Sequence, residues 1–536
     1  FGNQEAVVCI PQQRRLTYQQ LSEAVDHLAK GLMAIGYKKG DRIGIWSTNN
    51  IEWLLLQMAT ARLGIILVNI NPALLGKELA YAIQRSQLQG LFLIPGFRKT
   101  DYVARLMELM PELKNTHADK IHLTDFPDLR QLVIFDPKSP EQTASPYPGL
   151  TPWQEILAAG ANLSNEQLDE ATDSLDFDDA INIQYTSGTT GFPKPVVLSH
   201  HNLLNNAYFT AQEMQFNETD RLCVPVPFYH CFGMVLANLL CFSVGACVVI
   251  PSEHFDAQSV LQAIEQEKCT AIHGVPTMFI AELEHAEFNQ YDYSSLRSGI
   301  MAGAPCPPEL MTRVIVEMHC SDILIGYGET EASPLTHITS HDDSFERRIH
   351  TVGKNLPHQE VKIIDTDTGH IQPIGEVGEI CFRGYHVMIE YFNDAENTAK
   401  TVDKNGWLFS GDLGTMDEEG YVKITGRRKE MIIRGGENLY PAEIEGVIFQ
   451  HAKVEQVAVF GVPDKFYGEE VMAWILPRHN ETLSEAEIRQ YCQENLAHFK
   501  VPKYICIVEE FPMTVTGKLQ KFKMREMAIK QLEESQ

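Results

Sequence analysis

Helical and strand patterns alternate through roughly the first four hundred residues, and this alternation restricts the fold more than any other feature of the sequence. After Thr17, a residue suited to capping a helix, apolar residues recur every three or four positions, and the strand pattern RIGIW follows at residues 42–46. The same order returns as a helical pattern at residues 51–63, a strand pattern at 64–68 and a second helix and strand at 77–94. Such βαβ units build parallel sheets with helices on their faces. The sequence therefore predicts an α/β fold with a large N-terminal domain of mainly parallel sheets flanked by helices.

The pattern changes near the C-terminus, where the predicted elements become shorter and more mixed. Short strand patterns there surround one helical pattern that Ser484 caps. This order predicts a small α+β domain at residues 429–536, after an N-terminal domain at residues 1–428. The segment GRRKEM, at residues 426–431, joins the two predicted domains.

The composition is that of a globular protein large enough for at least two hydrophobic cores, with 536 residues, 44% of them hydrophobic and 21% charged. The formal net charge of -27 argues against a general nucleic-acid or anionic-membrane binder, because both functions need a cationic face. A polyanionic ligand must therefore be bound by local basic residues. The 11 cysteines form no CxxC pair and no cluster at zinc-ligand spacing, which favours a reducing compartment, no structural metal and mostly buried thiols.

The longest apolar run, at residues 233–250, has the length of a membrane span. Asn238, Ser243 and Gly245 interrupt this run and its end is β-branched, so a core helix followed by a buried strand is predicted instead. The start of the sequence shows no signal-peptide pattern, but the chain begins at Phe1, which leaves a removed leader open. The expected compartment is the cytoplasm of a bacterium or, after leader removal, the mitochondrial matrix of a eukaryote. The sequence does not predict the oligomeric state.

The segment YTSGTTGFPKP, at residues 185–195, gathers hydroxyls and glycines around one lysine, as a phosphate-binding loop does. A Walker loop would lead directly into a helix, but here Lys194 is followed by Pro195 and by β-branched residues that favour a strand. The predicted order is therefore strand, loop, strand and then a helix that Ser199 caps. A surface loop without a ligand is the alternative interpretation of this segment taken alone. The apolar residues expected on one side of the helix are Leu203, Leu204, Ala207, Tyr208 and Ala211.

Further motifs are spread over nearly the whole chain: FYHCFG (228–233), AGAP (302–305), YGETE (327–331), GEVGEICFRG (375–384), SGD (410–412), GRRKEMIIRGGENLYPAEIE (426–445) and PMTVTGK (512–518). Together with the loop, they resemble the signature of the adenylate-forming superfamily, which contains acyl-CoA synthetases, firefly-type luciferases and the adenylation domains of peptide synthetases. Within this superfamily, IRGGENLYPAE, AHFKVPKY and KLQKFKMRE are most similar to the medium-chain acyl-CoA synthetase family member 2 type.

The resemblance implies ATP and Mg²⁺ as cofactors and coenzyme A as a co-substrate. Glu331 is the implied magnesium ligand, since a hard cation on phosphate oxygens favours a carboxylate, and Thr330 is implied to hydrogen-bond the α-phosphate. The loop is implied to bind the β- and γ-phosphates of ATP. Its residues are Thr186, Ser187, Gly188, Thr189, Thr190, Gly191, Phe192, Pro193 and Lys194.

The same resemblance assigns two further groups of residues to the nucleoside of ATP. The ring of Tyr327 is implied to face adenine on one side. The backbone around Gly303 and Ala304 is implied to form the other wall of the adenine site. Asp412 is implied to accept hydrogen bonds from the ribose hydroxyls, and Arg427 to reach the ribose or a phosphate. A core tyrosine and an ordinary turn aspartate are the alternative interpretations.

Two residues are assigned to the acyl transfer itself. Lys518 is implied to bridge the attacking carboxylate and the α-phosphate during adenylation, where negative charge gathers in the transition state. His230 is implied to lie between the carboxylate pocket and the thiol tunnel, where it gates or orients the acyl group. A solvated surface lysine and a core histidine are the alternatives. The predicted catalytic residues are Lys518, Thr330, Glu331 and His230.

The second half-reaction is implied to use another face of the small domain. Gly435 and Gly436 lack side chains and would leave a channel for the pantetheine arm. Because Lys518 would occupy the space through which the thiol must approach, the small domain is expected to be a mobile lid that rotates about Lys429. An exposed charge in a linker is the alternative interpretation of Lys429.

The predicted acyl group carries no ammonium. Amino-acid adenylation domains usually carry an aspartate shortly after the FYHCFG motif, and none follows it here. The segments HGVPTMF (273–279) and SGIMAG (298–303), which resemble pocket walls of the family, are also apolar. The predicted function is an AMP-forming, ATP-dependent fatty acid:CoA ligase for medium-chain acids. The alternatives are ligation of an aryl, branched or other carboxylate, luciferase-type oxidation, a nucleotide hydrolase or kinase, and a catalytically silent acyl-adenylate binder.

Two positions depart from the family pattern. The loop ordinarily ends PKG, and Pro195 removes an amide donor and the freedom of a glycine, so nucleotide binding suffers if that amide faces phosphate. Ser410 stands where threonine is more usual, but the hydroxyl remains. Neither departure touches Lys194, Glu331 or Lys518, and an active enzyme is therefore expected.

Overall fold

The computed structural model describes residues 1–118, 121–141, 145, 147–186, 193–304, 306–435, 437–478, 481–513 and 519–534. The described chain forms two compact units. The first contains Phe1–Ser187, Pro193–Gln359 and Arg383–Gly406, and the second contains Glu360–Phe382 and Trp407–Gln536. The predicted boundary after residue 428 falls within the second unit and stays a prediction.

The first unit contains two large sheets. In the nine-stranded sheet, the six central strands run parallel and antiparallel strands lie at both edges. Its strands, in spatial order, are Lys354–Asn355, Leu335–Ile338, Asp322–Gly328, Ser298–Ala302, Ala271–Gly274, Arg221–Cys223, Cys247–Ile250, Glu5–Cys9 and Arg14–Thr17.

The second sheet of this unit has eight strands, of which six are parallel. The remaining two are antiparallel and extend one edge. In spatial order the strands are Glu390–Tyr391, Pro195–Ser199, Ala180–Tyr185, Ile66–Ile70, Arg42–Trp46, Gly90–Leu93, Gln131–Ile134 and Thr151–Pro152. The strands Gly96–Phe97 and Thr100–Asp101 form a separate hairpin.

Helices connect the parallel strands of the first unit and bury their apolar faces in two clusters of side chains. The α-helices are Tyr18–Ala34, Ile51–Arg62, Lys77–Arg85, Tyr102–Leu109, Trp153–Ala159, Asn165–Asp173, His200–Glu213, Cys231–Gly233, Leu240–Val244, Ala257–Glu267, Pro276–Leu283, Pro308–Glu317, Phe345–His350 and Ala395–Thr401. Short 3₁₀ segments occur at Pro111–Lys114, Gly160–Asn162, Phe288–Gln290 and Thr330–Ala332.

The second unit is smaller and mixes antiparallel sheet with helix. Its strands are Gln359–Ile364, Gly378–Gly384, Leu408–Met416 and Val422–Arg427 in one sheet, and Glu437–Leu439, Ile432–Arg434, Gly468–Pro477, Val454–Asp464 and Tyr504–Ile507 in another. Its helices are Pro441–Phe449, Glu485–Asn495 and Lys521–Glu534, with a 3₁₀ turn at His498–Lys500. The predicted α/β fold with a smaller α+β part is confirmed.

Local capping signals account for several helix starts. The Thr17 side chain accepts a hydrogen bond from the Gln20 amide, and the Gln20 side chain accepts one from the Thr17 amide. Ser199 and Asn202 make the same reciprocal pair. Ser484 accepts from the amide at residue 487. The predicted caps at Thr17, Ser199 and Ser484 are therefore confirmed.

The apolar run at residues 233–250 forms a buried helix that ends at Gly245, whose φ is 81°, followed by the buried strand Cys247–Ile250. This confirms the predicted core helix and strand. The middle of the helix, Met234–Leu239, is π-helical, which was not predicted. Among the described residues, the structure contains no helix with the length and apolarity needed to cross a membrane.

The predicted burial of the cysteines is also confirmed. All but Cys306 and Cys506 are buried, and those two are half-buried. Burial raises the pKa of the Cys9 thiol to about 12, which keeps it protonated at neutral pH.

Candidate active site

The predicted phosphate loop joins two antiparallel strands. Tyr185, at the end of one strand, lies opposite Pro195, at the start of the next. The Thr186 amide donates to the Lys194 carbonyl at 3.0 Å, and the Lys194 amide donates to the Thr186 hydroxyl at 3.4 Å. The order strand, loop, strand and helix is therefore confirmed, and it differs from a Walker loop. Six of the predicted loop residues lie outside the described residues: Ser187, Gly188, Thr189, Thr190, Gly191 and Phe192.

Pro195 is the first residue of a buried strand, a position at which proline is tolerated. Its carbonyl accepts a hydrogen bond from the Phe392 amide at 2.8 Å, on the side of the edge strand Glu390–Tyr391. Because the N–H and C=O of one strand residue point to the same neighbouring strand, the amide that proline lacks would also face this edge strand. Proline at residue 195, where the family pattern has glycine, therefore does not remove an amide donor from the side of the strand that faces the phosphate loop.

We expect Pro195→Gly to change the KM for ATP by less than about threefold, because the restored amide faces the edge strand. The same change should lower the free energy of unfolding by about 1 kcal/mol, since glycine loses more backbone entropy on folding than proline. Initial rates at varied ATP and thermal unfolding would measure the two effects. A tenfold decrease in the KM for ATP would contradict the assigned direction of this amide.

Tyr327 and the Gly303–Ala304 backbone lie at the ends of neighbouring parallel strands. Ala302 pairs with Gly326, so the residues that follow each of them are adjacent at the carboxyl edge of the sheet. Gly303 has a φ of 87°, which a residue with a side chain rarely adopts, and Gly303 and Ala304 are exposed. Ligands of open α/β sheets bind at this edge. The geometry suits an adenine that lies between the Tyr327 ring and this backbone.

Lys194 and Glu331 both contact Tyr391, which the sequence analysis did not identify. The Tyr391 hydroxyl donates to Glu331 Oε1 at 2.8 Å, and Lys194 Nζ lies 4.5 Å from the centroid of the same ring. Thr330 and Glu331 belong to the 3₁₀ turn that follows the strand Asp322–Gly328. An isolated tyrosine on a two-residue edge strand carries no sequence signal of such a role.

His230 caps the short helix that begins the apolar run. Its Nδ1 accepts a hydrogen bond from the Phe232 amide at 3.3 Å, which places the proton of a neutral ring on Nε2. The next residue, Cys231, donates from Sγ to Gln184 Oε1 at 3.0 Å. Burial, followed by the charge of Glu331, raises the pKa of Cys231, and a hydrogen bond with Thr330 lowers it. His230 therefore precedes a residue that hydrogen-bonds with Thr330 and is subject to the charge of Glu331.

The apolar segments predicted to line the acyl pocket meet around the π-helical turn Met234–Leu239, which is buried throughout. His273 Nε2 donates to the Leu236 carbonyl at 2.8 Å, and His273 Nδ1 accepts from the Ile300 amide at 3.1 Å. Burial lowers the pKa of His273 to about 4, so its ring is neutral at pH 7. The fold thus brings together the segments at residues 228–240, 273–279 and 298–303, and no acidic residue occurs in the first.

The donor set of this region fits Mg²⁺. Within the described ranges, no three histidine, cysteine or acidic side chains cluster as a protein-only metal site would require. Mg²⁺ is usually bound by one or two carboxylates together with substrate phosphates. Glu331 is the carboxylate that would hold Mg²⁺, and the ion would neutralise phosphate charge.

In the second unit, Asp412 and Arg427 face each other on paired strands. Arg427 Nε lies 3.0 Å from Asp412 Oδ1, and the aspartate side chain is 7% exposed, whereas the arginine side chain is 52% exposed. The Ser410 hydroxyl accepts from the Asp412 amide at 3.0 Å and donates to the Ile380 carbonyl at 2.7 Å. Serine at this position therefore still supplies a hydroxyl that orders the strand next to Asp412.

Gly435 lies where little space exists for a side chain. Its φ is 60°, its amide donates to the Tyr467 carbonyl at 2.8 Å, and a β-carbon there would lie 3.0 Å from the Tyr467 ring. Gly436 and Lys518, the other predicted residues of this unit, lie outside the described residues. The assignments of all these side chains to ligands stay predictions.

Two family models cover most of the chain. The model described as AMP-binding enzyme matches residues 1–392, and the model described as AMP-binding enzyme C-terminal domain matches residues 443–518. YngI of Bacillus subtilis (strain 168), which is named as an acyl-CoA synthetase, is 45% identical over 529 residues, which cover 99% of this chain and 95% of YngI. The mitochondrial medium-chain acyl-CoA ligase ACSF2 of Danio rerio is 42% identical over 534 residues, which cover 99% of this chain and 87% of that protein.

A solved structure agrees with these sequence matches. The anthranilate CoA ligase AuaEII, in complex with anthranoyl-AMP, aligns with a TM-score of 0.85 at 26% identity, covering 100% of this chain and 96% of that chain. The chain belongs to the AMP-binding enzyme family. It is an acyl-CoA synthetase, an AMP-forming acid–thiol ligase that uses ATP, Mg²⁺ and coenzyme A.

Proposed function

We propose that the carboxylate activated by this acyl-CoA synthetase is a medium-chain fatty acid. The observation that carries the proposal is the uncharged, buried surroundings of the π-helical turn Met234–Leu239, where three apolar segments meet. A substrate ammonium would be left without a counter-charge there, and its desolvation would be costly. The relative from Danio rerio is named as a medium-chain ligase, which supports an aliphatic chain of intermediate length.

We propose that residues of the first unit bind the triphosphate and the metal. Lys194 would supply the positive charge that a polyanion requires in a protein whose net charge is -27, and Glu331 would hold Mg²⁺. Thr330, beside Glu331 in the same turn, would hydrogen-bond the α-phosphate. The contact of both Lys194 and Glu331 with one tyrosine supports their assignment to one ligand.

In the second unit, we propose that Asp412 binds the ribose. Its carboxylate is buried but already paired with the more exposed guanidinium of Arg427, so its charge is compensated before a nucleotide binds. The carboxylate can accept hydrogen bonds from ribose hydroxyls while Arg427 turns towards a phosphate or the ribose. Lys518 is proposed as the cation that bridges the attacking carboxylate and the α-phosphate.

A panel of acids tests the substrate class. Pyrophosphate release would be measured with ATP, CoA and straight-chain acids from butanoate to hexadecanoate, with benzoate and a branched acid for comparison. We expect kcat/KM to rise by up to about fourfold per methylene and then to fall beyond the medium-chain range, because each buried methylene contributes about 0.8 kcal/mol until the pocket is full. Highest activity with benzoate or the branched acid would contradict the proposal.

The cellular compartment of the protein depends on the organism from which the chain comes. We propose the bacterial cytoplasm and the mitochondrial matrix as the two alternatives, and the mitochondrial name of the Danio rerio relative supports the second for a eukaryotic source.

A further inference from the structure

Tyr391 lies on the short edge strand Glu390–Tyr391 and is 3% exposed. Its hydroxyl donates to Glu331 Oε1 at 2.8 Å. The tyrosine therefore acts on Glu331 as a hydrogen-bond donor.

The hydroxyl proton of Tyr391 has one defined acceptor. A phenol has only one proton and an ionised carboxylate only accepts hydrogen bonds, so Tyr391 directs its proton to Glu331 Oε1. The Met388 amide also donates to the Glu331 carbonyl at 2.9 Å. The edge segment thus holds both the backbone and the side chain of Glu331.

The face of the same ring contacts the lysine of the phosphate loop. Lys194 Nζ lies 4.5 Å from the ring centroid, within the range of a cation–π interaction. One side chain therefore contacts the carboxylate assigned to Mg²⁺ through its hydroxyl and the ammonium assigned to phosphate through its ring. These two partners are separated by well over a hundred residues in the sequence.

We propose that Tyr391 is a positioning residue for adenylation, whose hydroxyl orients Glu331 towards Mg²⁺ and whose ring orients Lys194 towards the phosphates of ATP. The proposal rests on the functions proposed above for Glu331 and Lys194. Mg²⁺ requires near-ideal octahedral geometry, so a carboxylate ligand held by a hydrogen bond binds it better than one that rotates freely. A lysine held over a ring loses less side-chain entropy when the phosphates bind.

Tyr391→Phe separates the hydroxyl from the ring. We expect the Mg²⁺ concentration for half-maximal pyrophosphate release to rise by about tenfold, while kcat at saturating Mg²⁺ and the KM for ATP stay within about twofold. Binding of Mn²⁺ to the protein–ATP complex, followed by electron paramagnetic resonance, should weaken by a similar factor. This second measurement reports on the metal site without turnover.

Tyr391→Leu removes the ring as well. We expect the same loss of metal affinity and, in addition, a rise of about two- to fivefold in the KM for ATP, because the contact with Lys194 is lost. Tyr293→Phe is the matched control, since it removes a buried hydroxyl that donates to the Phe288 carbonyl in a different part of the same unit. The control should change thermal stability without changing Mg²⁺ or Mn²⁺ dependence.

The outcomes separate a failure of this inference from a failure of the proposed site. If Glu331→Gln weakens Mn²⁺ binding but Tyr391→Phe does not, Glu331 is the metal ligand and the positioning role of Tyr391 is wrong. If neither variant alters Mn²⁺ binding, the proposed function of Glu331 is wrong. A lower kcat in Tyr391→Phe with an unchanged Mg²⁺ requirement would show a purely structural role and overturn the inference.

Discussion

Lys518→Ala is expected to slow acyl-adenylate formation by about a hundred- to a thousandfold, which corresponds to about 2.7–4 kcal/mol of lost transition-state stabilisation. The carboxylate and the α-phosphate are both anionic, and a lysine ammonium between them would counter the charge that accumulates as they approach. Thioester formation from preformed acyl-adenylate should be much less affected, because the thiol attacks an uncharged carbonyl carbon and AMP leaves, so no two anionic groups have to be brought together. Single-turnover pyrophosphate release measures the first step, and acyl-CoA formation from added acyl-adenylate measures the second.

Lys523→Ala is a suitable control, because Lys523 is an exposed lysine close to Lys518 in the sequence. The control should leave both rates within about twofold of the unmodified protein, as is usual for an exposed side chain outside a site. If Lys518→Ala lowers the rates of both half-reactions equally, the role assigned to Lys518 is wrong. Equal losses in the two lysine variants would indicate a general effect of charge instead of a specific contact.

Lys429→Pro should block the second half-reaction while retaining the first. Proline fixes φ near -65° and restricts the preceding residue, so it should prevent the torsional change expected of a hinge. The neighbours of Lys429 are held on both sides: the Arg428 amide donates to the Gly411 carbonyl at 2.8 Å, and Glu430 pairs with Lys521 at 3.2 Å. Lys429 itself is an exposed turn residue between these two attachments. Both attachments belong to the second unit, and the hinge role of Lys429 stays a prediction.

We expect Lys429→Pro to retain a single-turnover pyrophosphate burst with ATP and fatty acid, and to lose most acyl-CoA production. Lys429→Ala is the control, because it removes the charge but keeps the amide and the freedom of the backbone. If Lys429→Pro catalyses both steps at the unmodified rates, the hinge lies elsewhere. If only adenylation collapses, the protein does not rest in the conformation that the prediction assumes.

The hairpin that carries the phosphate loop illustrates what adjacent residues can predict. Pro195 disfavours a helical Lys194, and the β-branched residues after it favour a strand, so the arrangement differs from a Walker loop for local reasons. Adjacent residues did not predict which neighbouring strand the missing amide of Pro195 would face. It depends on the edge strand Glu390–Tyr391, which lies far away in the sequence and accounts for the hydrogen bond to the Pro195 carbonyl.

The helix after this hairpin shows a similar limit. Its start at Ser199 was predictable, but its buried face is narrower than the apolar pattern suggested. Leu203, Ala207 and Ala211 are buried, whereas Leu204 is 49% exposed and Tyr208 is 45% exposed. The sequence shows which residues are apolar, and the neighbouring elements decide how wide a stripe of the helix is covered.

The sequence by itself determined the alternation of strands and helices, the caps at Thr17, Ser199 and Ser484, and the motifs from which the adenylate-forming chemistry was inferred. The alternation and the caps depend on backbone torsions and hydrogen bonds among residues close in the chain, so local residue types specify them, whereas the chemistry followed from the resemblance of the motifs to a known family. Only the tertiary structure decided that Tyr391 contacts Glu331 and Lys194, that Asp412 pairs with Arg427, and that His273 holds the π-helical turn. Such contacts depend on strand register and on the packing of elements distant in sequence, which residue types and local spacing do not encode.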